Sequence, residues 1–70
     1  MNNYRVNKNT YSNPNGHNEV HKDNCQHYHS LLSFEELGPF SNCANAVTSA
    51  RSKGYNADGC RICVPDCNRG

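Results

Sequence analysis

Two short stretches of this 70-residue chain carry most of its chemistry: His21-Lys22-Asp23-Asn24-Cys25, and Cys60-Arg61-Ile62-Cys63 directly after Asp58-Gly59. Thiolate sulfur and neutral imidazole nitrogen suit a tetrahedral zinc ion, and two ligands a few residues apart on a tight turn can point at one centre. His21, Cys25, Cys60 and Cys63 therefore form a candidate three-cysteine, one-histidine zinc site. Gly59 lets the chain turn close to the ion, where backbone N–H groups point at thiolate sulfurs and reduce their charge. Cys67, four residues beyond Cys63, could instead complete an all-cysteine set and leave His21 free on the surface. His27 and His29 are further rivals for the fourth place.

Composition makes a cross-link or an ion necessary. Only 34% of the residues are hydrophobic, with Leu, Ile, Val and Phe filling ten positions. A chain this short buries only about 60% of its unfolded surface, so stability normally comes from disulfides, a metal or association. The start, MNNYRVNKNTYSNPNG, lacks the apolar centre of a secretory signal, and no stretch approaches the length needed to cross a bilayer. These features point to the cytoplasm, where thiols stay reduced and metal binding is the better default; five cysteines would also strand one thiol if paired. A net charge of +1 excludes strong charge-driven attraction to nucleic acid or membranes. Catalysis has little support: Glu19, Asp23, Glu35, Glu36, Asp58 and Asp66 are scattered, and a four-ligand zinc site has no open position for substrate.

The elements that must position these residues follow from pattern. Residues 1–16 are Asn-rich, partly flexible or a first strand. Tyr4-Arg5-Val6 and Glu19-Val20-His21 alternate in polarity on either side of the turn signal Asn13-Pro14-Asn15-Gly16, which predicts an antiparallel pair. The stretch Gln26 to Glu36 has no clean period, although Leu31, Leu32 and Phe34 are expected in the core. Leu37-Gly38-Pro39-Phe40 reads as a short edge strand, because Pro39 cannot donate to a ladder. A helix is predicted from about Ser41, its N-cap, to Lys53, with Cys43, Ala46, Val47 and Ala50 as its apolar stripe. Cys43 is expected there as a small buried hydrophobe. Gly54 stops the helix, and Tyr55 folds back onto its last turn.

The segments Glu19-Val20-His21-x-x-x-Cys25, Leu37-Gly38-x-Phe40-x-x-Cys43 and Gly54-Tyr55-x-x-Asp58-Gly59-Cys60-x-x-Cys63, spanning about two thirds of the chain, resemble the Ada-like metal-binding modules. That group includes the zinc domain at the N-terminus of the bacterial DNA-repair protein Ada, and the same segments look like those of small bacterial proteins. The resemblance implies an α+β fold with a few short antiparallel strands, one helix and a single zinc ion between the first and last ligand pairs. It does not extend to repair. In Ada a zinc-bound cysteine takes the methyl group of a DNA phosphotriester, and its position matches His21, an imidazole that is no nucleophile of that kind.

The expectation is a single zinc-stabilised domain over residues 17–67, without catalysis, that engages a protein partner. Nucleic acid is an alternative partner, with Arg51, Lys53 and Arg61 as a local basic cluster and Tyr55 placed to stack on a base. The other alternative is a secreted, disulfide-stapled peptide, such as a toxin or antimicrobial, in which Cys60, Cys63 and Cys67 pair elsewhere.

Overall fold

A computed structural model describes residues 1–10 and 16–68. Tyr4 and Val6, and Val20 opposite Val6, have the alternating polarity of half-buried strands and are almost wholly buried. They lie on β1 (Asn2–Asn7) and β2 (Asn18–Lys22), which pair antiparallel with Arg5 opposite His21 and Val6 opposite Val20, as the sequence predicts. Of the turn expected between them, Asn13, Pro14 and Asn15 lie outside the described residues. After β2 come a short helix α1 (Gln26–His29), strand β3 (Phe34–Phe40), helix α2 (Cys43–Ser52), strand β4 (Ala57–Gly59) and a closing 3-10 turn at Pro65–Cys67.

The sheet order is β3-β1-β2-β4. The edge strand expected around Pro39 is therefore present, and it begins earlier, at Phe34. The expectation of antiparallel strands alone is corrected, because β4 runs parallel to β2, with Val20 opposite Gly59. A parallel neighbour needs a long crossover, and the chain from α1 through α2 supplies it. Pattern could not reveal β4: Ala-Asp-Gly has no β-branched or aromatic residue and is buried throughout.

One face of the sheet carries the apolar core. Tyr4, Val6 and Val20 pack with Ala46, Val47 and Ala50 of α2 and with Ala57, Cys60 and Val64. The small alanines let the helix approach the sheet closely. The helix is shorter than the predicted Ser41–Lys53 because Asn42, not Ser41, caps it: the Asn42 carboxamide oxygen accepts the Asn45 N–H at 2.9 Å. Its other end is as expected. Gly54 (φ 98°) donates to the Arg51 carbonyl and Tyr55 to that of Ala50, a paired closure that requires a left-handed residue.

The other face is covered by polar and aromatic groups instead of aliphatic ones. The Arg5 guanidinium lies 4.1 Å from the Tyr28 ring centre and 4.0 Å from that of Phe34, donates to the Tyr28 carbonyl and pairs with Glu36 at 2.8 Å. Stacked in this way, a cation and two rings exclude water where a leucine core would otherwise be needed. The expectation of Leu32 in the core fails: it is 98% exposed, while Leu31 and Phe34 are partly buried. Cys43 differs as well. It is half-buried and disulfide-bonded to Cys67, with a Cα separation of 6.2 Å, and so ties the start of α2 to the closing turn.

Gly59 marks the tightest packing. A Cβ there would lie 2.8 Å from Val64 Cγ2 and 2.9 Å from Cys67 Cβ. The glycine is thus required for close approach to the closing turn and not, as the sequence reading had it, to turn the chain. Gly59→Ala is expected to lower unfolding stability by about 1–3 kcal/mol through overpacking, as measured by urea denaturation. A loss no larger than that of an exposed alanine substitution would show that the closing turn yields freely.

Candidate metal centre

The pairing of β2 with β4 brings the two halves of the site together. Cys60 follows β4 directly, and its N–H donates to the Val20 carbonyl at 3.0 Å, which sets it beside His21 on β2. Strand alternation turns His21 away from the face that holds Val20. Cys25 lies in the turn after β2, where its N–H bonds the Lys22 carbonyl and its own carbonyl accepts from Tyr28. Cys63 ends a turn closed by the Val64 N–H on the Cys60 carbonyl at 2.8 Å. The ligand-type atoms of His21, Cys25, Cys60 and Cys63 all lie within 4.8 Å of one another, so the cluster could hold a metal ion.

One edge of the donor set has the length a tetrahedral zinc site requires. With Zn–S of about 2.3 Å and Zn–N of about 2.0–2.1 Å, tetrahedral edges are roughly 3.6–3.8 Å. His21 Nδ1 lies 3.6 Å from Cys63 Sγ. Three of the four residues are buried and Cys63 is partly so. His21 is 2% exposed, and its Nε2 is buried without a hydrogen-bond partner, 3.7 Å from the Glu19 carboxylate. Ligating histidines commonly direct their second nitrogen at such a carboxylate. Burial, and secondarily the nearby His27 ring, lower the His21 pKa to about 4, so that the imidazole is neutral and able to ligate over the physiological range.

The same cluster contains a covalent alternative: Cys25 and Cys63 are disulfide-bonded, with Cα atoms 5.5 Å apart, and Cys60 is a buried free thiol. A bonded sulfur offers no thiolate to a metal, so the bond and the ion compete for the two residues.

All four residues expected from their spacing are therefore neighbours. Cys67, the alternative fourth ligand, is bonded to Cys43 and is not among these four neighbours. His27 stands near His21, with ring centres 5.8 Å apart, while His29 Nε2 is 3.0 Å from the Asp23 carbonyl. His17, 22% exposed, faces the buried Asp58 at 3.8 Å. Of the basic cluster, Lys53 pairs with Glu35 at 3.3 Å, Tyr55 donates its hydroxyl to the same carboxylate at 2.8 Å, Arg51 donates to the Ala57 carbonyl, and Arg61 is exposed. Glu19 was missed as a neighbour of the site because a carboxylate two residues from a histidine in a strand carries no signal of its own.

The chain matches no protein-family model, and neither a curated protein nor a solved structure is significantly similar to it. Among the described residues, no helix is long and apolar enough to cross a membrane.

The lowered His21 pKa has a definite sign. The unfolded chain takes up this proton near the ordinary value of 6.5 and the folded chain only near 4. The contribution of neutral His21 is therefore complete above about pH 6.5 and is lost toward pH 4, by at most about 1.4 kcal/mol per pH unit. In the metal-free, disulfide-closed protein, urea denaturation is expected to show stability falling over this window, with the His21 ring NMR shifts still those of the neutral form at pH 5. A His21 titration centred at 6.5 would contradict the burial argument.

Proposed function

We propose that this chain is a small zinc-binding domain without catalytic chemistry of its own, an Ada-like module in fold with His21 in place of one ligand cysteine, that engages another protein in the reducing setting of the cytoplasm. The observation that carries the reading is the convergence of His21, Cys25, Cys60 and Cys63 within 4.8 Å of one another. When bound, zinc would supply a closed four-ligand cross-link joining the end of β2 to the segment after β4. The chain's own contribution is a neutral imidazole and three thiols in a largely water-excluded setting. A protein suits the partner role better than nucleic acid, because Lys53 and Tyr55 are both engaged by Glu35 and the net charge is only +1.

The fully reduced chain is expected to bind zinc in a one-to-one complex, and chelation should collapse its amide NMR dispersion, since metal binding and folding are coupled in so small a core. Cys60→Ser and Cys63→Ser should abolish zinc retention during gel filtration. His21→Ala should weaken it more than His29→Ala. Equal retention by the two histidine variants would remove His21 from the ligand set, and a dispersed spectrum after verified metal removal would overturn the coupling.

The two disulfides favour a second reading, a secreted peptide held by Cys25–Cys63 and Cys43–Cys67. Non-reducing mass spectrometry of protein purified from its native compartment separates the two. Bound zinc with Cys25 and Cys63 open to alkylation supports the zinc domain; both disulfides without metal support the secreted peptide.

A further inference from the structure

We propose that Cys25 and Cys63 form a redox gate on the metal site: as thiolates they are two of its four ligands, and as a disulfide they dismantle it and leave Cys60 as a lone buried thiol. This rests on the zinc reading above and deepens it by specifying how the site is regulated.

Three observations converge on these two cysteines. First, one backbone arrangement serves both states. It brings the four donors within 4.8 Å of one another and also sets the Cys25 and Cys63 Cα atoms 5.5 Å apart, well inside the range a disulfide spans. Passage from one state to the other therefore needs side-chain rotation and no rebuilding of the sheet. Second, access is unequal. A surface cleft lined by Asn24, Cys25, Gln26, Ile62 and Cys63 opens onto the bonded pair, in which Cys63 is partly exposed and Cys25 is buried at the cleft wall. Cys60 does not line it and packs in the core with Val20 and Val64. A soluble oxidant thus meets Cys25 and Cys63 before Cys60. Third, the second disulfide, Cys43–Cys67, uses no residue of the cluster, so its opening or closing neither supplies nor removes a ligand.

The chemistry balances with hydrogen peroxide as oxidant. The thiolate of Cys25 or Cys63 attacks one peroxide oxygen, the O–O bond breaks, and the products are a sulfenic acid and hydroxide. The second thiolate attacks the sulfenic sulfur, forming the S–S bond and expelling another hydroxide. Two electrons have passed from the two sulfurs to the peroxide, and protons from solvent convert both hydroxides to water. Cys60 takes up a proton as a thiol. Of the four donors, His21 and Cys60 then remain, too few for a closed zinc site. A dithiol reverses the change by exchange through a mixed disulfide, returning two electrons and restoring both thiolates.

The test uses the full chain, reduced, loaded with zinc and freed of excess metal. Hydrogen peroxide is added in steps while released zinc is read with a chromophoric chelator and thiols are mapped by alkylation and peptide mass spectrometry. The expected result is release of about one equivalent of zinc in step with loss of the Cys25 and Cys63 thiols from alkylation, whether or not Cys43 and Cys67 have joined, with the Cys25 and Cys63 peptides linked and rebinding restored by dithiothreitol. The Cys43→Ser/Cys67→Ser double variant should release zinc with the same stoichiometry, which separates the gate from the second disulfide. Zinc retained while Cys25 and Cys63 are oxidised, or a first-formed disulfide that includes Cys60, would overturn the gate and leave the zinc site standing. Failure of the reduced chain to load zinc at all, seen before any oxidant is added, would overturn the zinc reading and the gate together.

Discussion

The parallel pairing of β2 with β4 is the constraint on which the rest of the structure depends. It places Val20 opposite Gly59, and the next pair along, His21 and Cys60, become neighbours although 39 positions separate them in the chain. Without that register the early segment would carry one imidazole and one thiol, and the late segment two thiols, with nothing to bring them together. The close packing at Gly59 protects the register, since its missing side chain is what lets Val64 and Cys67 lie against the strand.

The two faces of the sheet solve the shortage of apolar residues in different ways. Toward α2 the small side chains Ala46, Val47 and Ala50 meet Tyr4, Val6 and Val20 in a thin conventional core. On the opposite face Arg5 is held between Tyr28 and Phe34, and His21 is buried beside the cysteines. A buried imidazole with an unpartnered nitrogen is unfavourable for stability alone, because an unmet polar group retains its desolvation cost. Its other nitrogen faces Cys63 Sγ at 3.6 Å, so a metal held by the cluster would put the buried ring to use. The cross-links add long-range closure where hydrophobic area is scarce: Cys25–Cys63 spans 38 positions and Cys43–Cys67 spans 24.

Much of the fold and of the site was legible because the relevant signals are local. Alternation around Val6 and Val20, the i, i+3, i+4, i+7 stripe of Cys43, Ala46, Val47 and Ala50, and the closure at Gly54 each depend on a backbone period or a terminal hydrogen bond within a few residues. The small error at the start of α2 has the same origin, since Ser41 and Asn42 are both good caps and only the hydrogen bond to Asn45 separates them. Leu32 misled because hydrophobicity alone does not say which side of a bend a residue takes. That Cys67 joins Cys43 was not legible, because ligand-like spacing does not say which sulfur lies within reach.

By itself the sequence determined the chemical types at the site, two pairs of metal-type ligands at short spacing, and the need for a cross-link in a chain with too few apolar residues. Only the tertiary structure decided which cysteines are neighbours, that Cys67 belongs with Cys43, that β4 exists and runs parallel to β2, and that Arg5 covers the second face in place of leucine. The physical reason is that short-range patterns report the period and the ends of single elements. Contacts between distant segments are chosen by loop closure and mutual packing, which no single stretch of the chain encodes.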